Sequence, residues 1–268
     1  VQQDFALQPI PPPPAAQPTT RPVAAEQQPR LPRVSSTQLK VYTDSGWVTG
    51  GAVDPNKMTV VLAHGRVPKG SPEEDSGVNG WPRNMAAAMW TSLSANRPNI
   101  LGWDWRADAT GDLWNALVDK TPGQGLALGQ ALHQTLGGGY QQPVHFVGHS
   151  LGGFVILRCL RNHGERRIGR TVLMATPARA CMAGRRLDNL AAGKRLLGAS
   201  RDIWRSLPEV FRPRCELGVI AGSRPWGLGR MLMRLPGTND GVVRLEETEV
   251  AGMRDRIVLP LSHSGMLV

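Results

Sequence analysis

The chain has 268 residues, 41% of them apolar, which suits a single domain with a sizeable core. It has no run of about 18 uncharged apolar residues that could cross a bilayer as a helix. The formal charge of +10 is local: residues 158–214 hold 14 Lys+Arg against 4 Asp+Glu, and the remainder is balanced at 17 of each, which argues against a uniformly basic nucleic-acid binder.

Residues 1–37 are rich in Gln, Pro and Ala, with Pro11 to Pro14 in a row. Such a stretch favours extended, solvated backbone, so a disordered tail or linker is expected there, followed by one domain over 38–268. The first residue is Val1 rather than methionine, and the start is read as processed or truncated, so that any signal peptide could already be missing. That start and the proline-rich tail favour a periplasmic, secreted or surface-tethered protein over a cytoplasmic one.

From residue 38 strands and helices alternate. Leu39 to Thr43 reads as a first strand, and Met58 to Ala63 (MTVVLA) as a buried parallel strand. Asn84 to Ala95 is expected to be helical with Asn84 as its cap, and Asn99 to Trp103 is the next strand. Pro122 to Leu136 is helical and stops at Gly137-Gly138-Gly139. Pro143 to Val147 is a strand, Gly152 to Asn162 a helix, and Arg170 to Ala175, Glu216 to Ala221 and Arg256 to Leu261 are strands. This alternation predicts an α/β fold with a mostly parallel central sheet flanked by helices.

The chemistry centres on Gly148-His149-Ser150-Leu151-Gly152-Gly153. This G-x-S-x-G lies between an apolar strand and an apolar helix, the strand–turn–helix setting of a nucleophile elbow. So tight a turn strains the backbone of Ser150, and side chains at Gly148 and Gly152 would collide with the neighbouring strand and helix. A serine hydroxyl needs a base. Among six histidines, His263 follows the last strand and is the expected base; His145 and His149 lie in the strand and elbow, and His133 and His163 on helices. The acid that orients it should lie between Ser150 and His263, and Asp240 in Asn239-Asp240-Gly241 fits. Asp188 and Asp202 belong to the basic segment, Asp255 is read as a turn residue, and Glu246 and Glu247 are fallbacks. The oxyanion donors are expected to be the backbone N–H groups of Leu151 and, after the strand at 58–63, of Arg66 in His64-Gly65-Arg66. Gly65 lets that loop turn inward, and His64 orients it. No metal site is expected: Cys159, Cys181 and Cys215 show no C-x-x-C spacing. Cys181 and Cys215 either pair in an oxidising compartment or remain small apolar side chains.

These residues together resemble the α/β-hydrolase superfamily, with the chain order Ser150, Asp240, His263. Within it, the His-Gly loop, G-H-S-L-G-G and Asp-Gly-x-Val followed by His look like bacterial lipases and esterases over residues 58–268. The resemblance implies ester hydrolysis through an acyl-enzyme, with no cofactor, on a small-molecule or lipid ester. Pro68 stands where such lipases often have the second glycine of His-Gly-x-x-Gly, so triglyceride is not carried over. Thioesterases, amidases and acyltransferases use the same triad, and a non-catalytic binding module on the same fold is the alternative of another class.

A cap or lid insertion is expected at about 178–214. Ile203, Trp204, Leu207, Val210 and Phe211 fall at helical spacing among Arg201, Arg205 and Arg212. This basic amphipathic helix either packs on the sheet or also approaches anionic membrane. Trp81, Trp90, Trp103, Trp105, Trp114 and Trp226 are read as core, rim or cleft lining, and Asp104 as a salt-bridge partner of Arg106 or another arginine.

Overall fold

The structure, a computed structural model, describes residues 38–110, 120–163, 167–179, 213–226 and 235–267. Among these, eight strands form one sheet: β1 (Leu39–Thr43), β2 (Gly46–Thr49), β3 (Thr59–Ala63), β4 (Asn99–Trp103), β5 (Val144–His149), β6 (Ile168–Met174), β7 (Glu216–Gly222) and β8 (Asp255–Leu259). Their order is β2-β1-β4-β3-β5-β6-β7-β8. β1 runs antiparallel to β2 and β4, and the pairs from β4 through to β8 are parallel. Among the described residues the α-helices are α1 (Trp81–Ser92), α2 (Arg106–Ala109), α3 (Thr121–Leu136) and α4 (Leu151–His163).

Alternation along the strands splits the core into two faces. Val61, Ala63, Leu101, Trp103, Val144 and Phe146 pack with α3 and α4 on one side. Leu62, Ile100, Val60 and Val147 pack with Trp81, Ala86 and Met85 of α1 on the other. Helices on both faces bury the central strands from each side, which is why β3 and β4 read as unbroken apolar runs. Glycine brings α3 and α4 together: a Cβ on Gly125 would lie 2.4 Å from Arg158 Cβ and 2.9 Å from the Val155 carbonyl oxygen. Among the described residues no helix is long and apolar enough to cross a membrane.

Two expectations need correction, and one strand lies outside them. α1 begins at Trp81, with Gly80 as its cap and Pro82 in its first turn, so Asn84 lies inside the helix. Proline's fixed φ suits a first turn and moves the start forward. The strand β2 was not foreseen; a turn closed by the Thr43 hydroxyl, which accepts from the Ser45 N–H and donates to the Gly46 carbonyl, folds Trp47 back beside Tyr42. Asp255 opens β8 instead of sitting in a turn. The tail at 1–37, the helix at 203–211, Trp114, Cys181, Asp188 and Asp202 lie outside the described residues.

Candidate active site

Parallel strands place their C-terminal ends on one edge, and that edge gathers the predicted residues. β5 runs into Ser150, whose φ of +53° is in the left-handed region that a non-glycine residue avoids. The Ser150 N–H is held by the Met174 carbonyl at 2.9 Å, and its own carbonyl accepts from Gly153 at 3.1 Å. The glycines are required by contact. A Cβ on Gly148 would come 2.6 Å from Ile156 Cδ1, and one on Gly152 would come 2.2 Å from the Ala63 carbonyl oxygen. Gly153 has the same constraint against Thr176. The strand order therefore demands G-x-S-x-G-G as much as the turn does.

His263 follows β8. Its Nδ1–H donates to Asp240 Oδ2 at 2.8 Å, so its Nε2 is the acceptor facing Ser150 Oγ at 3.0 Å. Asp240 is buried, in the loop after β7. Its second oxygen, Oδ1, accepts from the N–H groups of Val242 and Val243 at 2.8 and 2.7 Å. Three donors thus meet one buried carboxylate. Asn239 shapes the turn: its Oδ1 accepts from the Gly241 N–H and its Nδ2 donates to the Gly237 carbonyl. Gly241, at φ +96°, would bring a Cβ within 2.4 Å of the Trp226 carbonyl oxygen.

The loop after β3 lies against the serine. A Cβ on Gly65 would sit 2.9 Å from both Ser150 Cβ and the His149 carbonyl oxygen. His64 is buried below that loop. Its Nδ1–H donates to the Gly65 carbonyl at 2.8 Å, its ring stacks on Trp105 at 5.5 Å, and the Trp105 indole donates to the His64 carbonyl at 2.7 Å. Val67 is tied to the Ala109 carbonyl at 2.9 Å. Arg66 is therefore held between anchored neighbours. Leu151 opens α4, so its N–H is one of the first-turn donors without an intrahelical acceptor.

Burial pushes the His64 imidazole down to about 4 from 6.5, against the opposing pull of its Gly65 hydrogen bond and the Asp104 charge. Asp104 pairs with Lys40 at 2.7 Å and lies 3.8 Å from His64 Nε2, whereas Arg106 directs its guanidinium to Ser76, Ser71 and Glu73. The expected bridge from Asp104 to Arg106 or another arginine is thus replaced by one to a lysine, because β1 pairs with β4 and brings Lys40 alongside. Glu247 caps the turn at Arg244 and Glu246 pairs with Arg244, so neither fallback acid reaches His263. His145 accepts from the Arg170 N–H, and His163 donates to the Leu126 carbonyl. Burial raises the Cys159 thiol to about 12, which leaves it a core side chain. Trp103 and Trp105 are core, and Trp226 is exposed. Among the described residues no group of His, Cys, Asp or Glu could hold a metal.

Residues 60–262 match the model of the alpha/beta hydrolase family. The chain belongs to that family. Its sheet order and flanking helices are those of an α/β-hydrolase, and the chain resembles bacterial lipases and esterases. The structure of the Bacillus licheniformis lipase BlEst2 in mature form superimposes with a TM-score of 0.56 at 17% identity, covering 80% of this chain and 88% of that one. Its propeptide form gives 0.53 at 19% identity, covering 81% of this hydrolase and 49% of that chain. At such identities the likeness concerns the fold. A search of curated proteins gave no match.

The sequence did not single out Asn239, Thr176 or the donors Val242 and Val243. The Asn239-Asp240-Gly241 turn pattern was a signal for the first; the others act through backbone or through contact across strands, which residue type does not reveal.

Proposed function

We propose that this hydrolase cleaves carboxylic esters through an acyl-enzyme on Ser150, with His263 as general base and acid and Asp240 as its orienting partner. One observation carries the reading: the continuous chain from Ser150 Oγ through the His263 ring to Asp240, at 3.0 and 2.8 Å. The Asp240 contact fixes the tautomer that leaves Nε2 able to take the serine proton.

Ser150 Oγ attacks the acyl carbon as its proton passes to His263 Nε2. The oxyanion formed on the carbonyl oxygen is held by the N–H groups of Leu151 and Arg66, near the positive end of α4. The C–O bond to the alcohol breaks, and His263 returns the proton to the leaving oxygen. Water then repeats the sequence on the acyl-enzyme and releases the acid. No cofactor enters. The BlEst2 neighbours are lipases, which supports an ester over a thioester or amide as the first substrate to try.

The test is fluorophosphonate labelling together with a p-nitrophenyl ester panel of graded acyl length, on the wild-type chain and Ser150→Ala. Labelling and turnover should both vanish in the variant, and the chain-length profile should separate an esterase from a lipase. A wild-type chain that neither labels nor turns over any ester would leave the non-catalytic module as the better reading.

A further inference from the structure

His149 precedes the nucleophile and takes no part in the proton transfers just described, yet it is buried at the centre of the site. Its Nε2–H donates to the main-chain carbonyl of His263 at 3.1 Å. The His263 N–H is in turn held by the Asp240 carbonyl at 2.9 Å, so both backbone groups of the base are tied down. The other ring nitrogen of His149 faces the loop after β3: a Cβ on Gly65 would lie 3.2 Å from Nδ1. The imidazole therefore fills the space between the loop carrying Arg66 and the loop carrying His263. The Trp81 ring closes it edge-on at 6.5 Å.

We infer that His149 is a positioning residue, a neutral Nε2–H donor that sets the height of His263 against Ser150 while its ring supports the Gly65 backbone. The inference rests on the reading of Ser150, His263 and Asp240 as a triad. Neutrality is required by the mechanism, since the His263 ring stands 4.8 Å away and becomes an imidazolium in each half-reaction. A second cation at that distance would oppose it. Burial supplies the neutrality: it holds His149 well below its ordinary pKa, helped by the charges of His263 and His64 and opposed by the hydrogen bond to the His263 carbonyl. Misplacement of a base by even an ångström is costly to turnover, so a single backbone hydrogen bond has leverage here.

Two measurements test this. In the intact chain labelled with ¹⁵N-histidine, His149 should be the Nε2–H tautomer and stay neutral through the range in which an exposed imidazole titrates. An Nδ1–H tautomer, or a ring that titrates in that range, overturns the inference without reference to activity. In variants, His149→Leu should lower kcat on a p-nitrophenyl ester by about 10-fold or more with KM within about twofold, and His149→Gln, which keeps an N–H donor, should recover most of the loss. Full activity in the leucine variant, or equal loss in both, would also overturn it. If the leucine variant does not fold, His149→Met takes its place in the comparison. Fluorophosphonate labelling of the wild-type chain is the control: failure there removes the triad reading itself, and the tautomer still decides whether His149 makes the contact.

Discussion

His64 gives the folded protein a built-in sensitivity to acid. Its ring is buried, with Nδ1–H committed to the Gly65 carbonyl, and protonation would place a second proton on Nε2, which has no hydrogen-bond partner among the described residues. Burial holds the folded-state pKa at about 4, against 6.5 for an exposed imidazole. Between those values the unfolded chain takes up a proton that the folded chain excludes, so stability falls as the pH drops from 6.5 towards 4 and is unaffected by this group above 6.5. Each pKa unit corresponds to about 1.4 kcal/mol, so the full effect is about 3 kcal/mol. Urea unfolding at a series of pH values would measure it, comparing the wild-type chain with His64→Asn, whose amide can still donate to the Gly65 carbonyl but does not titrate. The wild type should lose about 3 kcal/mol more than the variant between pH 7 and 4. Parallel stability profiles would refute the reasoning, and so would a wild type that resists acid better than the variant. His149 contributes with the same sign, because its pKa is lowered by burial too, and its share should persist in the His64 variant.

Two other perturbations follow from contacts around the serine. Asp240→Asn turns an amide towards His263 Nδ1 and favours the tautomer that cannot accept the serine proton, so kcat should fall by about a thousand- to ten-thousand-fold with KM little changed; steady-state kinetics on a p-nitrophenyl ester would show it, and a loss confined to KM would contradict it. Gly152→Ala drives a methyl group to 2.2 Å from the Ala63 carbonyl oxygen and 2.5 Å from that of His64, both backbone atoms that cannot step aside. Separating the elbow from β3 should cost about 1–3 kcal/mol, read as a lower urea midpoint, and an unchanged midpoint would count against the packing described here.

Most of the sheet was legible in the sequence because buried parallel strands carry a signal of their own. Val60 to Ala63 and Ile100 to Trp103 are apolar on both faces, and only a strand covered from each side needs that. Ser150 was legible because its turn requires glycine at 148 and 152, and His263 because it follows the last strand. β2 escaped because Gly46 to Gly51 is short and glycine-rich, and pairing with β1 defines it more than any preference of its own. The α1 boundary departs from the asparagine signal because a proline in the first turn outweighs an asparagine three residues inside.

Residue type and local spacing, then, determined by themselves most of the strands, the elbow and the chain order of Ser150, Asp240 and His263. Tertiary structure alone decided which groups meet: Lys40 rather than Arg106 on Asp104, Trp105 beneath His64, and His149 on the carbonyl of His263. Those contacts join strands and loops 40 to more than 110 residues apart along the chain. Their partners are chosen by sheet order and by burial, and neither is written into the immediate neighbourhood of any one residue.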